Sequence, residues 1–159
     1  MFLLTRETIA YNISKNQLQI SDADPAGFGA TFYYFRLGSS VRIWAGGGHE
    51  DRSIELSRQP DGTYPLPPGA YATVFSHETF YCSEKIFAFF GQSTALGVDQ
   101  GLQLVHGPTI DPRFNNPLKM GLKNLLDEPV PIRFKQQLGK VLFFDVSDTY
   151  PLGDHGQAI

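Results

Sequence analysis

Apolar and polar residues alternate along most of this chain, and that pattern is typical of strands with one buried face. One early segment departs from it, because Ile9 and Ile13 recur at a helical spacing. Thr5 can cap such a helix, and Glu7 falls in its first turn. We therefore predict one short helix from about Arg6 to about Lys15, followed by strands.

Short apolar runs then recur between Gly- and Pro-rich loops at residues 22–29, 38–40, 45–52 and 59–69. The predicted strands are Leu18–Ile20, Thr31–Leu37, Val41–Trp44, Ser53–Leu56, Tyr71–Phe75, Lys85–Phe90, Leu102–Val105, Leu118–Leu122, Val130–Phe134 and Val141–Val146. One helical turn is predicted over 92–98. Many short strands and little helix predict an all-β sandwich or barrel. It forms one domain over residues 1–150, with a loosely ordered tail over 151–159.

The composition excludes several classes of protein. Aromatic residues make up 13% of the chain and charged residues 18%, which favours half-buried sheets over a disordered chain. The net charge is −3 and the basic residues form no stripe, so we expect no nucleic-acid partner. Residues 1–8 resemble neither a signal peptide nor a membrane span, so we expect a cytoplasmic protein without a membrane partner.

Two chemically suggestive features have simpler structural interpretations. Cys82 has no second cysteine to pair with, and a small buried hydrophobic residue is the expected role. His49, Glu50 and Asp51 are metal-ligating residue types, but they follow three glycines in a predicted exposed turn. We therefore predict no metal site formed by the protein alone.

The sharpest candidate site is the segment from Gly107 to Asn115, a tight turn between two strands. Ile110 is expected to face the core, while Asp111 stays near the turn, where a carboxylate can orient water or bind a sugar hydroxyl. Phe114 can stack on a sugar or a base. The alternative is structural: an Asp that binds turn amides beside a core Phe.

A second candidate is the segment from Gly91 to Gly97. Ser93 and Thr94 open the predicted helical turn, and small hydroxyl residues with backbone N–H groups at such a start can hold a phosphate. The alternative is that one of the two hydroxyls is only an N-cap.

The order and spacing of several short motifs are more specific than any one of them. The motifs are Leu66-Pro67-Pro68-Gly69, Ser76-His77-Glu78, Gly91-Gln92-Ser93-Thr94, Gly101-Leu102, Ile110-Asp111-Pro112, Asn124, Pro131-Ile132-Arg133, Leu138-Gly139 and Phe143-Phe144. This succession resembles the dCTP deaminase and dUTPase superfamily over roughly residues 3–146. The opening Leu4–Ile9 and the segment from Gly29 to Gly38 resemble the deaminase branch more closely.

The resemblance implies a distorted β-barrel or jelly roll of the dUTPase type. It also implies a homotrimer with pockets between subunits, a nucleotide ligand, and Mg²⁺ bound through the ligand's phosphates. Asp111 matches the family's motif aspartate and Phe114 its motif aromatic residue. Gly107, Pro108 and Thr109 match the backbone that contacts the base, although Pro108 removes one donor.

The chain departs from the family at reactive positions. The deaminase glutamate, ten residues after the motif aspartate, is Gly121 here, so deamination should be lost unless Asp127 or Glu128 replaces it. Two arginines of the phosphate motif are replaced by Gln92 and Gly97.

Two further differences lie near the C-terminal end of the resemblance. Lys140 stands where the family has a glutamine, and it can bring a positive charge to a phosphate or simply be a surface lysine. Residues 148–159 contain no Lys or Arg, so a lid that clamps a triphosphate is not expected.

Three functions are consistent with this pattern. The first is a non-catalytic nucleotide binder that uses Gln92, Ser93, Thr94, Lys140 and the segment from Gly107 to Phe114. The second is an enzyme, either a Mg²⁺-dependent nucleotide hydrolase in which Asp111 orients water or a residual deaminase. The third is a trimeric scaffold, for which surface aromatic residues would be the sign. We favour the binder, because the motifs of the fold persist while reactive positions are replaced.

Overall fold

A computed structural model describes residues 1–44 and 51–148 of the chain. The predicted exposed turn with His49 and Glu50, and the predicted tail over 151–159, lie outside the described residues. Asp51 is described, and its carboxylate accepts a hydrogen bond of 2.8 Å from Nε of Arg42.

Strands dominate the described residues, as the sequence predicted. They are β1 (Phe2–Leu3), β2 (Leu18–Ser21), β3 (Tyr33–Ile43), β4 (Arg52–Glu55), β5 (Thr63–Leu66), β6 (Tyr71–Cys82), β7 (Ile86–Gln92), β8 (Leu102–Val105), β9 (Thr109–Ile110), β10 (Asn115–Asn124), β11 (Val130–Arg133) and β12 (Gln137–Asp145). The α-helix α1 covers Arg6–Ser14, and short helical turns cover Pro25–Gly27, Leu56–Arg58, Pro60–Gly62 and Ala95–Asp99.

Most strands belong to one curled sheet with the order β8-β10-β6-β3-β12-β7-β9. Strands β1, β2 and β4 pair at the sides of β12, β6 and β3, while β5 and β11 form a separate pair. The sheet curls into a half-barrel around an apolar core, so the predicted all-β fold with one short helix is confirmed.

The predicted helix is confirmed as α1, and its first turn is closed by two threonines. The backbone N–H of Thr5 donates to Oγ1 of Thr8 at 2.7 Å, and the N–H of Thr8 donates back to Oγ1 of Thr5 at 3.4 Å. Ile9, within the helix, has a fully buried side chain. No helix in the described parts of the chain is long and apolar enough to cross a bilayer.

The turn predicted at residues 38–40 is wrong, because β3 runs through it without a break. The pairing with β6 shifts there, from Leu37 opposite Ser76 to Val41 opposite Val74. Gly38 permits this bulge, since a Cβ at that position would lie 2.9 Å from the carbonyl oxygen of Phe75. A glycine that the sequence suggests as a turn is therefore a bulge inside a long strand.

The loop predicted over residues 59–69 is also partly wrong, since it contains β5. This strand pairs with β11, with Pro65 opposite Pro131. Proline is tolerated on a two-stranded pair of this kind, because its missing N–H can face outward. Strands β6 and β10 are longer than predicted, and both extensions flank the candidate site described below.

The side chain of Glu78 is fully buried between the paired strands β3 and β6. Glu78 accepts hydrogen bonds from the Tyr33 hydroxyl at 2.8 Å, from Nε of Arg36 at 2.7 Å and from the Arg36 backbone N–H at 3.0 Å. Burial, followed by the charge of Glu78, raises the pKa of Tyr33 above its ordinary value. Both oxygens of the carboxylate are thereby satisfied, so this network joins the two longest strands of the sheet.

Candidate functional site

A cavity of about 430 Å³ opens at the edge of the sheet, beside the loop that joins β8 to β9. Its volume is in the range of small-molecule sites. The lining combines aromatic rings with polar side chains and contains no Asp or Glu. The lining residues are Phe75, Phe90, Gly107, Thr109, Phe114, Asn116, Pro117, Leu118 and Lys119.

One wall of the cavity exists because β10 bulges. Its register with β6 shifts between Pro117 and Lys119, which turns Leu118 into the core. The Leu118 N–H donates to Oγ of Ser76 at 2.8 Å, and that hydroxyl donates to the carbonyl of Glu78 at 2.7 Å. The bulge is therefore tied to the buried network of β6, and it holds the side chain of Lys119 at the cavity rim.

The opposite wall is the predicted turn around Asp111. The N–H of Phe114 donates to the backbone carbonyl of Asp111 at 3.2 Å, and Arg113 adopts a φ of 69° to complete the turn. Arg113 is held by Glu84 at 3.2 Å. Phe114 packs partly against the core and also lines the cavity, while Ile110 is buried as predicted.

The carboxylate of Asp111 does not have the structural role that the sequence left as the alternative. It forms no hydrogen bond with another described residue, so it does not satisfy the turn amides. It also does not line the cavity, although its turn does. An exposed and unpaired carboxylate next to the cavity is free to interact with a ligand.

The base of the cavity is aromatic. Phe90 contacts Phe35 edge-on at 5.9 Å on one side, and the ring of His106 stacks on it at 4.3 Å on the other. The N–H of Phe90 donates to the carbonyl of Pro108 at 2.9 Å, which fixes the loop against β7. Pro108 lacks an N–H, but its carbonyl therefore has a clear structural role.

The predicted phosphate segment uses its side chains internally. Oε1 of Gln92 accepts the N–H of Leu104 at 2.8 Å, which joins the end of β7 to β8. Oγ of Ser93 accepts the N–H of Leu96 at 3.3 Å, so the Ser93 hydroxyl binds a backbone N–H in the first turn of this short helix. Thr94 makes no capping bond, and neither Ser93 nor Thr94 lines the cavity.

Comparison with solved structures that have the same arrangement of strands identifies the fold of this chain. The dCTP deaminase from Agrobacterium tumefaciens superposes with a TM-score of 0.71 and 16% identity, covering 89% of this chain and 47% of that chain. The dUTPase from Streptococcus mutans gives a TM-score of 0.52 and 13% identity over 80% of this chain and 94% of that chain. This chain has the dCTP deaminase–dUTPase fold. The predicted resemblance is thus confirmed in structure.

A third structure with this fold is a mutant dUTPase from phage phi11 of S. aureus, which coordinates a structural Mg(II) ion. It has a TM-score of 0.53 and 11% identity over 89% of this chain and 97% of that chain. The present chain spans about half the length, 47%, of the dCTP deaminase. No protein-family model and no curated protein matches the sequence.

Gly121, where the sequence resemblance implies a glutamate in deaminases, is covered by a tyrosine. Gly121 lies on the outer face of β10, and a Cβ there would come within 2.2 Å of the Tyr71 hydroxyl oxygen. Tyr71 comes from β6, where it pairs with Lys123. Asp127 and Glu128 lie in the exposed turn after β10 and do not line the cavity.

Lys140 lies on β12, between Tyr34 of β3 and Gly91 of β7. Its ammonium group lies over the Phe32 ring at 4.3 Å and near the Tyr34 ring at 5.4 Å. It therefore packs on an aromatic surface on the same side of the fold as the Gly91 backbone. It does not line the cavity.

The structure thus brings together only part of the predicted set. Gly107, Thr109 and Phe114 line one cavity, whereas Gln92, Ser93, Thr94 and Lys140 lie elsewhere on the chain surface. Six residues that line the cavity were not predicted as parts of the site: Phe75, Phe90, Asn116, Pro117, Leu118 and Lys119. Alternation marks Phe75 and Lys119 as outward-facing strand residues, but it does not show that β6 and β10 are neighbours.

Proposed function

We propose that this protein is a nucleotide-binding protein with the dCTP deaminase–dUTPase fold that holds its ligand without converting it. The cavity at the β8–β9 loop carries this proposal. It presents the Phe114 ring for stacking, and the side chains of Thr109, Asn116 and Lys119 form no hydrogen bonds with other described residues. Polar groups left unpaired around an apolar floor are suited to orient a base and sugar.

The absence of turnover is proposed from two local observations. The cavity lining contains no carboxylate that could move a proton at a base. The position where a deaminase would supply one is Gly121, and the Tyr71 phenol covers it. A general acid or base contributes about 10²–10⁴-fold to a rate, so deamination without one would be very slow.

The assembly we propose is a homotrimer in which a second copy completes each pocket. Ser93, Thr94 and Lys140 lie away from the cavity of their own chain, and a neighbouring copy can bring them to it. The outer face of β7 and β12 carries an aromatic cluster in which Phe89 contacts Phe87 at 4.9 Å and Phe144 at 5.7 Å. Phe89 is 40% exposed, and a second copy could cover this cluster. A cytoplasmic location is part of the same proposal.

A thermal-shift panel of ribo-, deoxyribo- and cyclic nucleotides tests the binding proposal. A ligand present at 100 times its Kd stabilises the folded state by about 2.7 kcal/mol, which raises the melting temperature by several degrees. Phe114→Ala should abolish the shift, whereas Tyr11→Ala on the exposed side of α1 should keep it. If no nucleotide shifts the wild-type protein, the proposal is wrong.

A hydrolase is the second candidate, because the Asp111 carboxylate has no hydrogen-bond partner among the described residues. It could orient a water toward a phosphate. The described residues contain no cluster of three His, Cys, Asp or Glu side chains, so Mg²⁺ would be held through the ligand's phosphates. The test is nucleotide hydrolysis by wild type and Asp111→Asn, with products separated by chromatography. Hydrolysis that Asp111→Asn abolishes would establish this function instead.

A further inference from the structure

We propose that a second cavity of this protein binds a phosphate group through the side chains of Arg133, Lys135 and Gln100. This cavity has a volume of about 460 Å³ and lies at the turn that joins β11 to β12. It shares no lining residue with the cavity beside the β8–β9 loop. It is therefore a separate site, and it does not depend on the proposed nucleotide binding.

Two cationic side chains line this second cavity, and no Asp or Glu does. Arg133 is the last residue of β11, and Lys135 follows it in the turn. Neither side chain forms an ion pair with another residue that the structure describes. Asp61 and Asp99 are close along the chain to residues of the lining, but neither lines the cavity. Two positive charges match the charge of about −1.5 to −2 on a phosphate monoester at neutral pH.

A tight turn brings both cations to the same space. The N–H of Gln136 donates to the carbonyl of Arg133 at 3.0 Å, and the N–H of Lys135 donates to the carbonyl of Leu37 at 2.9 Å. Lys135 has a φ of 64° at the third position of this turn, where glycine is usually preferred. Its ammonium group lies 5.3 Å from the centre of the Phe134 ring, which also lines the cavity. The backbone of the turn therefore holds Lys135 beside Arg133.

A backbone N–H sets the orientation of two amide side chains in the cavity wall. The N–H of Arg133 donates to Oε1 of Gln136 at 3.0 Å, and a backbone N–H can only donate. Nε2 of Gln136 therefore points the other way, and it donates to Oε1 of Gln100 at 2.6 Å. Nε2 of Gln100 is then left as a donor without an acceptor among the described residues.

The pairing of β11 with β5 positions the guanidinium of Arg133. Arg133 lies opposite Thr63, and its Nε donates to Oγ1 of Thr63 at 3.2 Å. That hydroxyl donates in turn to the carbonyl of Asp61 at 3.2 Å. The two terminal nitrogens of the guanidinium have no acceptor in the described part of the chain. Their N–H groups lie in one plane and can bind two oxygens of the same phosphate.

The side-chain groups that remain free around this cavity are all donors. Every side-chain oxygen of the lining is already bonded within the chain, namely Oγ1 of Thr63 and Oε1 of Gln136 and Gln100. The free groups belong to Arg133, Lys135 and Gln100. Donors with two positive charges favour an anion over a neutral ligand or a cation, and the volume leaves room for an organic group on the phosphate.

An NMR titration of the ¹⁵N-labelled protein tests this site, because it reads the Nε–H of Arg133 and the side-chain amide of Gln100 directly. The probes are inorganic phosphate, ribose 5-phosphate and ribose. We expect both phosphate probes to shift these signals to saturation and ribose to leave them unchanged. Tighter binding of ribose 5-phosphate would identify a monoester as the ligand, and equal affinities would identify free phosphate.

Three variants that each lower the net charge by one separate the site from general charge effects. Gln100→Glu keeps an oxygen for Gln136 but replaces the free donor with a carboxylate, so it should weaken phosphate binding about 10-fold or more. Lys135→Gly should weaken it to a similar extent without harming the fold, because glycine suits a φ of 64°. Lys15→Gln, at the end of α1, is the matched control and should bind phosphate as the wild type does.

The inference is overturned if neither phosphate probe shifts the Arg133 and Gln100 signals, or if Lys135→Gly binds phosphate as tightly as Lys15→Gln does. It is also overturned if the saturable shifts appear at Gly107 and Thr109 instead, since the phosphate then belongs to the other cavity. Phe114→Ala should leave phosphate binding at Arg133 unchanged. A failure of the proposed nucleotide binding is therefore distinguishable from a failure of this site.

Discussion

Two polar regions of this molecule differ in whether their charged side chains have partners. One is the buried network at Glu78, and the other is the open face around Asp111 and Lys119. Glu78 is fully buried, and the Tyr33 hydroxyl and two groups of Arg36 bind its two oxygens. Asp111 and Lys119 are exposed and have no such partners among the described residues. The first region holds β3 to β6. In the second region, no other described residue uses the hydrogen-bonding capacity of the Asp111 and Lys119 side chains, so it is available to a ligand.

The largest expected contrast comes from the same chemical change in both regions. Glu78→Gln should lower the free energy of unfolding by about 3–5 kcal/mol, because it leaves the Arg36 guanidinium with a neutral partner at a buried site. Asp111→Asn should change it by no more than about 0.5 kcal/mol. Urea denaturation of the two variants measures both. Equal losses in the two variants would remove the distinction between the regions.

The buried region should also respond to alkaline pH. Burial raises the pKa of Tyr33 above its ordinary value and that of the Cys82 thiol to about 12. The unfolded chain therefore releases both protons at a lower pH than the folded protein does, and stability falls as the pH rises above about 8.5 for the thiol and about 10 for the phenol.

Melting temperatures measured from pH 7 to pH 11 test this effect, with Tyr33→Phe as the control. That variant should be less stable at pH 7, since Glu78 loses a donor, but its melting temperature should fall less steeply above pH 10. Curves that run parallel for wild type and Tyr33→Phe would show that the phenol is not the responding group.

The smallest expected effect concerns the contact of Tyr71 with Gly121 on the open face. Gly121→Ala should cost about 1 kcal/mol, because its methyl group overlaps the phenol and the ring must move. In a Tyr71→Ala background the same substitution should cost at least about 0.5 kcal/mol less. A double-mutant cycle by denaturation measures this coupling. A coupling of zero would show that the ring does not rest on the glycine.

The periodic part of the fold was predictable because the alternation of apolar residues is local. It located α1, most strands and the buried Ile110. Gly38 was misread, because a glycine between two strand-like runs has the same local pattern in a turn and in a bulge. The strand β5 was missed because Pro65 is typical of a loop, and only its pairing with β11 makes it a strand.

The candidate site was predictable only where one segment of chain carries it. Gly107, Thr109 and Phe114 lie within eight positions of each other, and the structure keeps them together at one cavity. Phe75 and Phe90 reach the cavity from β6 and β7, so no short motif contains them together with the segment from Gly107 to Phe114. Gln92 was predicted to bind the nucleotide, and the structure adds a role that its position in the motif does not reveal: its amide oxygen accepts a hydrogen bond from the backbone N–H of Leu104.

The most direct test of the central claim is to incubate the purified protein with Mg²⁺ and a mixed pool of deoxynucleotides, ribonucleotides and cyclic nucleotides. Mass spectrometry of the supernatant and of the denatured protein then identifies every species. We predict an unaltered nucleotide that is released only on denaturation and is absent from Phe114→Ala. A new product in the supernatant, such as a deaminated base or a monophosphate with pyrophosphate, would contradict the claim that this protein binds without turnover.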